Sequence, residues 1–117
     1  MEEEMLVHDV YFTLKDASDK AIKNLIEECY TYLSDLPGLI DFSAGHIVSE
    51  NNREVNVTDF HVGLHVIFSD KSFHDQYQDA KEHNIFVERN KDNWTQVRVF
   101  DTYIYRIDRI VLEGKSA

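Results

Sequence analysis

Residues 60–68 carry the pattern that most constrains the fold, a regular alternation of side chains along a short segment. Apolar residues occupy every second position, namely Phe60, Val62, Leu64, Val66 and Phe68, and His61, Gly63, His65 and Ile67 stand between them. Successive side chains of a β-strand point to opposite faces, so this alternation predicts a strand with one continuous apolar face. Such a face must be covered, and the chain therefore needs a sheet packed against a second layer.

Three further segments alternate in a similar way and are predicted to be strands. They span residues 6–14, about 40–48 and 94–103. One face of these strands carries Leu6, His8, Val10, Phe12 and Leu14 from the first, Ile40, Phe42 and Ala44 from the second, and Val97, Val99 and Tyr103 from the third. Gln96, Arg98 and Phe100 are predicted to face the other way.

Two segments have helical periodicity instead. Asp16 or Ser18 can cap a first helix, which Pro37-Gly38 stops. Its apolar residues recur at helical spacing, at Ile22, Leu25, Ile26, Cys29, Leu33 and Leu36. After the third strand, Asp70 or Ser72 can cap a second helix that carries Phe73, Tyr77 and Ala80, and a further short helical piece holds Ile85 and Phe86.

The resulting order, βαββαβ, predicts a single α+β domain over residues 1–117, with its core in residues 6–103. A four-stranded antiparallel sheet with both helices on one face, the ferredoxin-like fold, satisfies this order in so short a chain. The face of the sheet without helices would carry Val7, Tyr11, Ile47, Ile67 and Phe100. A half-apolar face of this kind predicts a partner, and the β-prone tail at residues 104–112 is predicted to form an intersubunit strand.

The charge of the chain restricts its partners. Twenty-two acidic against twelve basic residues give a net charge of −10, which disfavours nucleic acids and anionic membranes. The longest stretch without charged residues, 60–69, is too short to span a bilayer, and the acidic N-terminus lacks the features of a secretory signal. With Cys29 as its single cysteine, the chain is expected in the cytoplasm, and Cys29 is expected to pack as a small hydrophobe.

Several short motifs together resemble the stress-responsive A/B barrel family, also called Dabb, within the dimeric αβ-barrel group. They are Val7-His8, Leu36-Pro37-Gly38-Leu39, Gly45, Phe68, Tyr77, His83 and Val99-Phe100-Asp101, and they extend over residues 6–103. The resemblance implies a homodimer whose two sheets pack face to face into a barrel. It also implies that no activity can be assigned from membership alone, because most members have none established.

A plant polyketide cyclase that looks similar implies a site. It uses a histidine that opens the first strand, a tyrosine in the second helix and a histidine just after it, and these correspond to His8, Tyr77 and His83. Two positions depart from that pattern. A first-helix tyrosine of the cyclase falls at Cys29, and the usual His-Pro-x-His stretch is replaced by residues 79–83, Asp-Ala-Lys-Glu-His.

The residues themselves allow this site on one condition. His8 shares a strand face with Val10 and Phe12, so it should lie under the helices, where its ring could accept a proton near pH 7 or simply hydrogen-bond a backbone group. Tyr77 and His83 are six residues apart, a rotation of about 240° on a continuous helix. They can meet only if the helix breaks near residues 80–82.

No metal site is predicted, because His61 and His65 would lie about 13 Å apart along one strand. If Asp9 faces them from the neighbouring strand, an ion pair or a pH-sensitive patch inside the barrel is the alternative to solvated or interface histidines. No cofactor motif occurs in the sequence.

Three functions remain open. The first is a dimeric protein that is not an enzyme or that only binds a small organic ligand. A cavity near His8 filled by side chains would favour this function. The second is a cyclase, lyase or isomerase acting on a small aromatic or polyketide-like compound, with His83 as general base and Tyr77 orienting an oxygen; it requires an open pocket. The third is a cofactor-independent monooxygenase.

Overall fold

The structure is a computed structural model that describes residues 4–105 of the chain. Its elements are β1 (Glu4–Leu14), α1 (Asp19–Leu33), β2 (Leu39–His46), β3 (Val62–Phe68), α2 (Lys71–Asp79), α3 (Lys81–Asn90), a 3₁₀ turn (Lys91–Asn93) and β4 (Trp94–Tyr105). The strands form one antiparallel sheet in the order β2-β3-β1-β4, and the helices pack against one face of it. This is the predicted ferredoxin-like fold, and α3 is the further short helical piece that was predicted to hold Ile85 and Phe86.

Strand β1 is central and organises the core. Its even positions from Leu6 to Leu14 are all buried, as the alternation predicted, and they include His8. His8 lies opposite Val66 of β3 and Asp101 of β4. The parity of the strand therefore places this histidine on the helix side of the sheet.

Helix α1 covers the sheet with one apolar stripe. It begins at Ser18, whose hydroxyl accepts a hydrogen bond from the Ala21 amide at 3.2 Å, and its stripe buries Leu25, Cys29 and Leu33. Burial raises the pKa of the Cys29 thiol to about 12, so this residue packs as a hydrophobe and does not act as a nucleophile. The helix ends at Leu33, four residues before the proline that was predicted to stop it.

Strand β2 differs from the prediction in its phase. An irregularity between Leu39 and Asp41 shifts the register against β3, so Ile40 is turned outward and is 52% exposed. Leu39 packs against the core in its place, together with Phe42 and Ala44. The strand also ends at His46, two residues earlier than predicted.

The predicted apolar face of the third strand holds only from Val62 to Phe68. Phe60 precedes β3 and packs against Tyr11 on the sheet face that carries no helices, with ring centroids 4.9 Å apart. His61 accepts a hydrogen bond from the Leu14 amide through Nδ1 at 3.0 Å. The alternation fails here because the chain has not yet entered strand geometry.

The second helical region is divided at Ala80. Asp70 caps α2 by accepting a hydrogen bond from the Phe73 amide at 3.1 Å. Ala80 then has an extended backbone, with φ −64° and ψ 143°, and α3 starts at the next residue. Ala80 therefore separates two helices, whereas the sequence placed it inside one, and this is the break that Tyr77 and His83 require.

Strand β4 continues two residues beyond the predicted end of the core. Ile104 and Tyr105 lie opposite Met5 and Glu4 of the same chain, so these two residues belong to their own sheet and not to an arm on a partner. Residues 106–112, the rest of the predicted intersubunit strand, lie outside the described part of the chain.

The sheet face without helices, called the open face below, is partly apolar. Val7, Tyr11 and Ile67 are half-buried there, and Phe100 is 55% exposed. His65 Nδ1 lies 2.7 Å from Asp9 Oδ1 on this face, so Asp9 faces this histidine from the neighbouring strand, which was the condition stated for an ion pair. Among the helices within residues 4–105, none has both the length and the apolar content required to cross a membrane.

Candidate functional site

A cavity of about 180 Å³ lies between the sheet and the helices. Apolar side chains from β1, β3, α1, α3 and β4 form most of its walls, including Phe12, Leu64 and Trp94. Val97 and Val99 complete it on the edge strand β4, where both are exposed to solvent. Four polar side chains, His8, Tyr77, Gln78 and His83, also line the cavity, so it contains all three predicted site residues and is not filled by side chains.

His8 is held by a carboxylate, not by a backbone group. Its Nδ1 lies 2.6 Å from Asp101 Oδ1, across the β1–β4 pair. Because a carboxylate only accepts, Nδ1 carries the hydrogen, and Nε2 of the neutral ring keeps its lone pair. Burial lowers the pKa of His8 below its usual value, and the Asp101 carboxylate partly opposes this shift.

Tyr77, which belongs to α2, lies at the centre of a cluster of aromatic rings from several elements. Its ring is 5.0 Å from Phe68, 5.8 Å from His8 and 5.1 Å from His83, measured between centroids. Burial raises the pKa of the phenol, because the phenolate would be poorly solvated. The side chain is therefore a hydrogen-bond donor toward the cavity across the physiological pH range.

His83 approaches Tyr77 from the first turn of α3. Its Nδ1 is buried and has no hydrogen-bond partner among residues 4–105. Burial lowers the pKa of the ring, and the neighbouring His8 and His74 act in the same direction. Near neutral pH, His83 is thus an uncharged base next to a phenol that donates.

Sequence analysis missed two residues beside His8. The His74 ring lies 5.0 Å from the His8 ring, and its Nε2 is 3.8 Å from Asp101 Oδ1. A signal for His74 existed, because it precedes Tyr77 by three residues and so shares its helix face. Asp101 stood in a recognised motif, but its contact with His8 depends on the register between β1 and β4.

Solved structures with this fold include proteins of different descriptions. A dabb family protein with a ferredoxin-like fold from Mesorhizobium loti is 27% identical, with 85% of this chain and 95% of that chain covered and a TM-score of 0.71. A hydroxynitrile lyase from Passiflora edulis is 15% identical, with coverage of 91% and 98% and a TM-score of 0.72. A dimeric ferredoxin-like protein of unknown function from Thermobifida fusca is 10% identical, with coverage of 89% and 94% and a TM-score of 0.72.

Sequence comparison identifies the family. No curated protein matches the chain. The family model described as Stress responsive A/B Barrel Domain, Dabb, matches residues 6–104, which include every strand and helix described above except the first two and the last residue of the sheet. The sheet order, the helices on one face and this match agree, and the chain belongs to the stress-responsive A/B barrel family.

Proposed function

We propose that the chain binds a small organic molecule in the cavity between sheet and helices, with His8, Tyr77 and His83 as the polar contacts. The observation that carries this proposal is an open cavity whose wall includes His8, Tyr77 and His83 together. A mostly apolar cavity with a few convergent polar groups is typical of a small-molecule site, and the Nδ1 of His83, buried beside it without a partner among the described residues, supports a functional role for that ring.

The size and chemistry of the cavity restrict the ligand. Its volume of about 180 Å³ slightly exceeds the roughly 150 Å³ of an engineered apolar cavity that binds benzene. One aromatic ring with a small substituent therefore fits. The phenol of Tyr77 donates and the imidazole of His83 accepts, so the substituent should carry a hydroxyl or carbonyl oxygen, and burial favours a neutral molecule over an ion.

A bulky residue at the mouth of the cavity should abolish binding. Val99 lines the cavity and is 50% exposed, so Val99→Trp fills the entrance without overpacking the core. Val55→Trp is the matched control, because Val55 is 78% exposed and lies outside the cavity. Calorimetric titration with 4-hydroxybenzaldehyde, phenol and benzaldehyde should show binding to the unmodified chain and the control, and at least tenfold weaker binding to Val99→Trp. Equal affinities in both variants, or no binding of any probe at millimolar concentration, would contradict the proposal.

A second candidate is a lyase, cyclase or isomerase in which His83 is the general base. Two features favour it. The His83 ring, whose Nδ1 has no partner among the described residues, lies 5.1 Å between centroids from the Tyr77 ring, whose phenol can hold a substrate oxygen. The cavity beside them is open, as such an enzyme requires. The hydroxynitrile lyase from Passiflora edulis has the same fold. In the simplest test reaction, on mandelonitrile, His83 takes the hydroxyl proton, the bond to the nitrile carbon breaks, and cyanide leaves with the electron pair while benzaldehyde forms.

Replacement of His83 should separate catalysis from folding. We expect His83→Ala to change the free energy of unfolding by less than about 1 kcal/mol, because the lost contact with the Tyr77 ring is offset by removal of a buried nitrogen that has no partner among the described residues. If the chain releases benzaldehyde from mandelonitrile, His83→Ala should lower kcat/KM by about 10²- to 10⁴-fold, and His46→Ala, at an exposed histidine, should not. Since burial lowers the pKa of His83, the neutral base persists below pH 6.5, and kcat/KM should fall only on further acidification. A large loss of melting temperature in His83→Ala would instead make the residue structural.

We further propose that the chain works as a cytoplasmic homodimer. Structural neighbours from Thermobifida fusca and Jannaschia are described as dimeric ferredoxin-like proteins. The open face offers the surface for a second copy, because its half-buried and exposed aromatic residues have no cover within residues 4–105. The free, buried thiol of Cys29 is consistent with a reducing compartment.

A further inference from the structure

A cluster of three potential metal ligands lies beside the cavity, and the proposed function leaves most of it unused. His8 comes from β1, Asp101 from the opposing position of β4, and His74 from α2. One ligand atom from each lies within 4.8 Å of the other two. Nδ1 of His8 is 2.6 Å and Nε2 of His74 is 3.8 Å from the same oxygen, Oδ1 of Asp101.

The orientation of His74 makes the cluster unusual. Its Nδ1 lies 3.2 Å from Oδ1 of Asp75, a carboxylate that also accepts two hydrogen bonds from Lys71 Nζ. With the hydrogen of a neutral ring on Nδ1, Nε2 presents a lone pair toward Asp101. That nitrogen is buried and has no hydrogen-bond partner within the described residues. In this tautomer two acceptors face each other at 3.8 Å, an arrangement that a positive charge between them, either a proton or a metal ion, would stabilise.

We propose that His8, His74 and Asp101 bind a divalent transition-metal ion of the Zn²⁺ type. Two imidazole nitrogens and one carboxylate oxygen match Zn²⁺ or Fe²⁺, whereas Mg²⁺ and Ca²⁺ prefer oxygen ligands alone. The contact from Asp75 to the far nitrogen of His74 is the outer-shell carboxylate that ligating histidines commonly have.

The distances are compatible with such an ion once the three side chains move closer together. Zinc bonds of about 2.0–2.1 Å at tetrahedral angles place neighbouring ligand atoms roughly 3.3 Å apart. The observed separations of 2.6 Å and 3.8 Å lie on either side of this value, so the Asp101 oxygen needs to move by about 0.7 Å or less relative to each nitrogen. The two histidine nitrogens lie within 4.8 Å of each other and need to approach by up to about 1.5 Å. On binding, the hydrogen on Nδ1 of His8 moves to Nε2. The Asp101 side chain is 43% exposed, so a water molecule can reach the fourth position.

The test measures the metal directly. The full chain, without a histidine tag, is stripped with EDTA and titrated with Zn²⁺ against a chromophoric chelator; we expect one ion per chain. His74→Gln should weaken binding at least about 100-fold. Asp101→Asn, a closer isostere, should also weaken it, and Asp75→Asn should weaken it about 10- to 100-fold through the orientation of His74. The control His46→Gln, at an exposed histidine, should bind like the unmodified chain. Co²⁺ bound to the stripped chain should give a tetrahedral absorption spectrum that His74→Gln lacks.

Two results would overturn this proposal. One is the absence of stoichiometric binding in a chain that is folded by circular dichroism. The other is binding that His74→Gln and Asp101→Asn do not weaken, or that His46→Gln weakens equally, since the ion would then be bound adventitiously by other histidines. The metal site shares His8 with the cavity, so the EDTA-treated chain is also titrated with 4-hydroxybenzaldehyde. Ligand binding without metal binding would overturn only the metal site, and metal binding without ligand binding would overturn only the ligand site.

Discussion

Phe100→Glu is expected to convert the proposed dimer into monomers and to raise the dimer dissociation constant by at least about 100-fold. Phe100 stands on the open face, 5.9 Å from Tyr11 between ring centroids, and is 55% exposed in the single chain. A second copy packed on this face would bury the ring. Aromatic residues at the centre of interfaces contribute about 2 kcal/mol or more, and a carboxylate in the same place would lose its hydration without a partner.

A residue on the opposite face of the same strand provides the control. Tyr103 is 48% exposed and lies on the helix side, so Tyr103→Glu makes the same change in net charge on a surface that a face-to-face dimer leaves free. Sedimentation equilibrium from 0.1 to about 100 µM should show a monomer for Phe100→Glu and an unchanged dimer for Tyr103→Glu, given an interface of more than about 1,000 Å². A monomeric unmodified chain, or equal dissociation of both variants, would show that the open face does not hold two subunits together.

The fold could be predicted from the sequence where local pattern and tertiary environment agree. The predicted strands 6–14 and 60–68 are the two central strands, whose buried faces demand strict alternation; the first is confirmed throughout and the second from residue 62 onward. The edge strand β2 was predicted one residue out of phase at Ile40, because the irregularity that follows Leu39 has no signal in the sequence. Phe60 was misplaced for a related reason, since apolar character alone does not show where a strand begins.

The candidate site divides in the same way. His8 could be placed because the parity of one strand fixes the face on which each residue lies. The contact between Tyr77 and His83 requires the helix break at Ala80. The sequence showed that a break was needed, but no residue there signalled that one occurs. His8 and Asp101 are 93 residues apart in the sequence, so their contact depends on the register between β1 and β4, and a slip of one residue would move Asp101 to the open face.

The turn before β2 should be the most sensitive position for a small substitution. Gly38 has a φ of +82°, a conformation that costs any residue with a Cβ about 1–3 kcal/mol. A Cβ there would also overlap the base of the Phe73 side chain, at Cβ and Cγ, which cannot move without displacing the start of α2 from the core. Together these effects should make Gly38→Ala lower the free energy of unfolding by about 3 kcal/mol, roughly 10 °C in Tm.

Gly45 offers a comparison with the same chemical change. It lies in β2, and a Cβ at this position meets no atom within 4 Å, so Gly45→Ala should be neutral or stabilising by up to about 1 kcal/mol. Because Gly45 is on the open face, both substitutions are best made in the Phe100→Glu background, where association does not contribute to stability. Urea unfolding followed through Trp94, the single tryptophan, gives both free energies. If Gly38→Ala unfolds within about 0.5 kcal/mol of Gly45→Ala, the chain does not need the left-handed turn at residue 38, and the contact between that turn and α2 is not the constraint that sets where β2 begins.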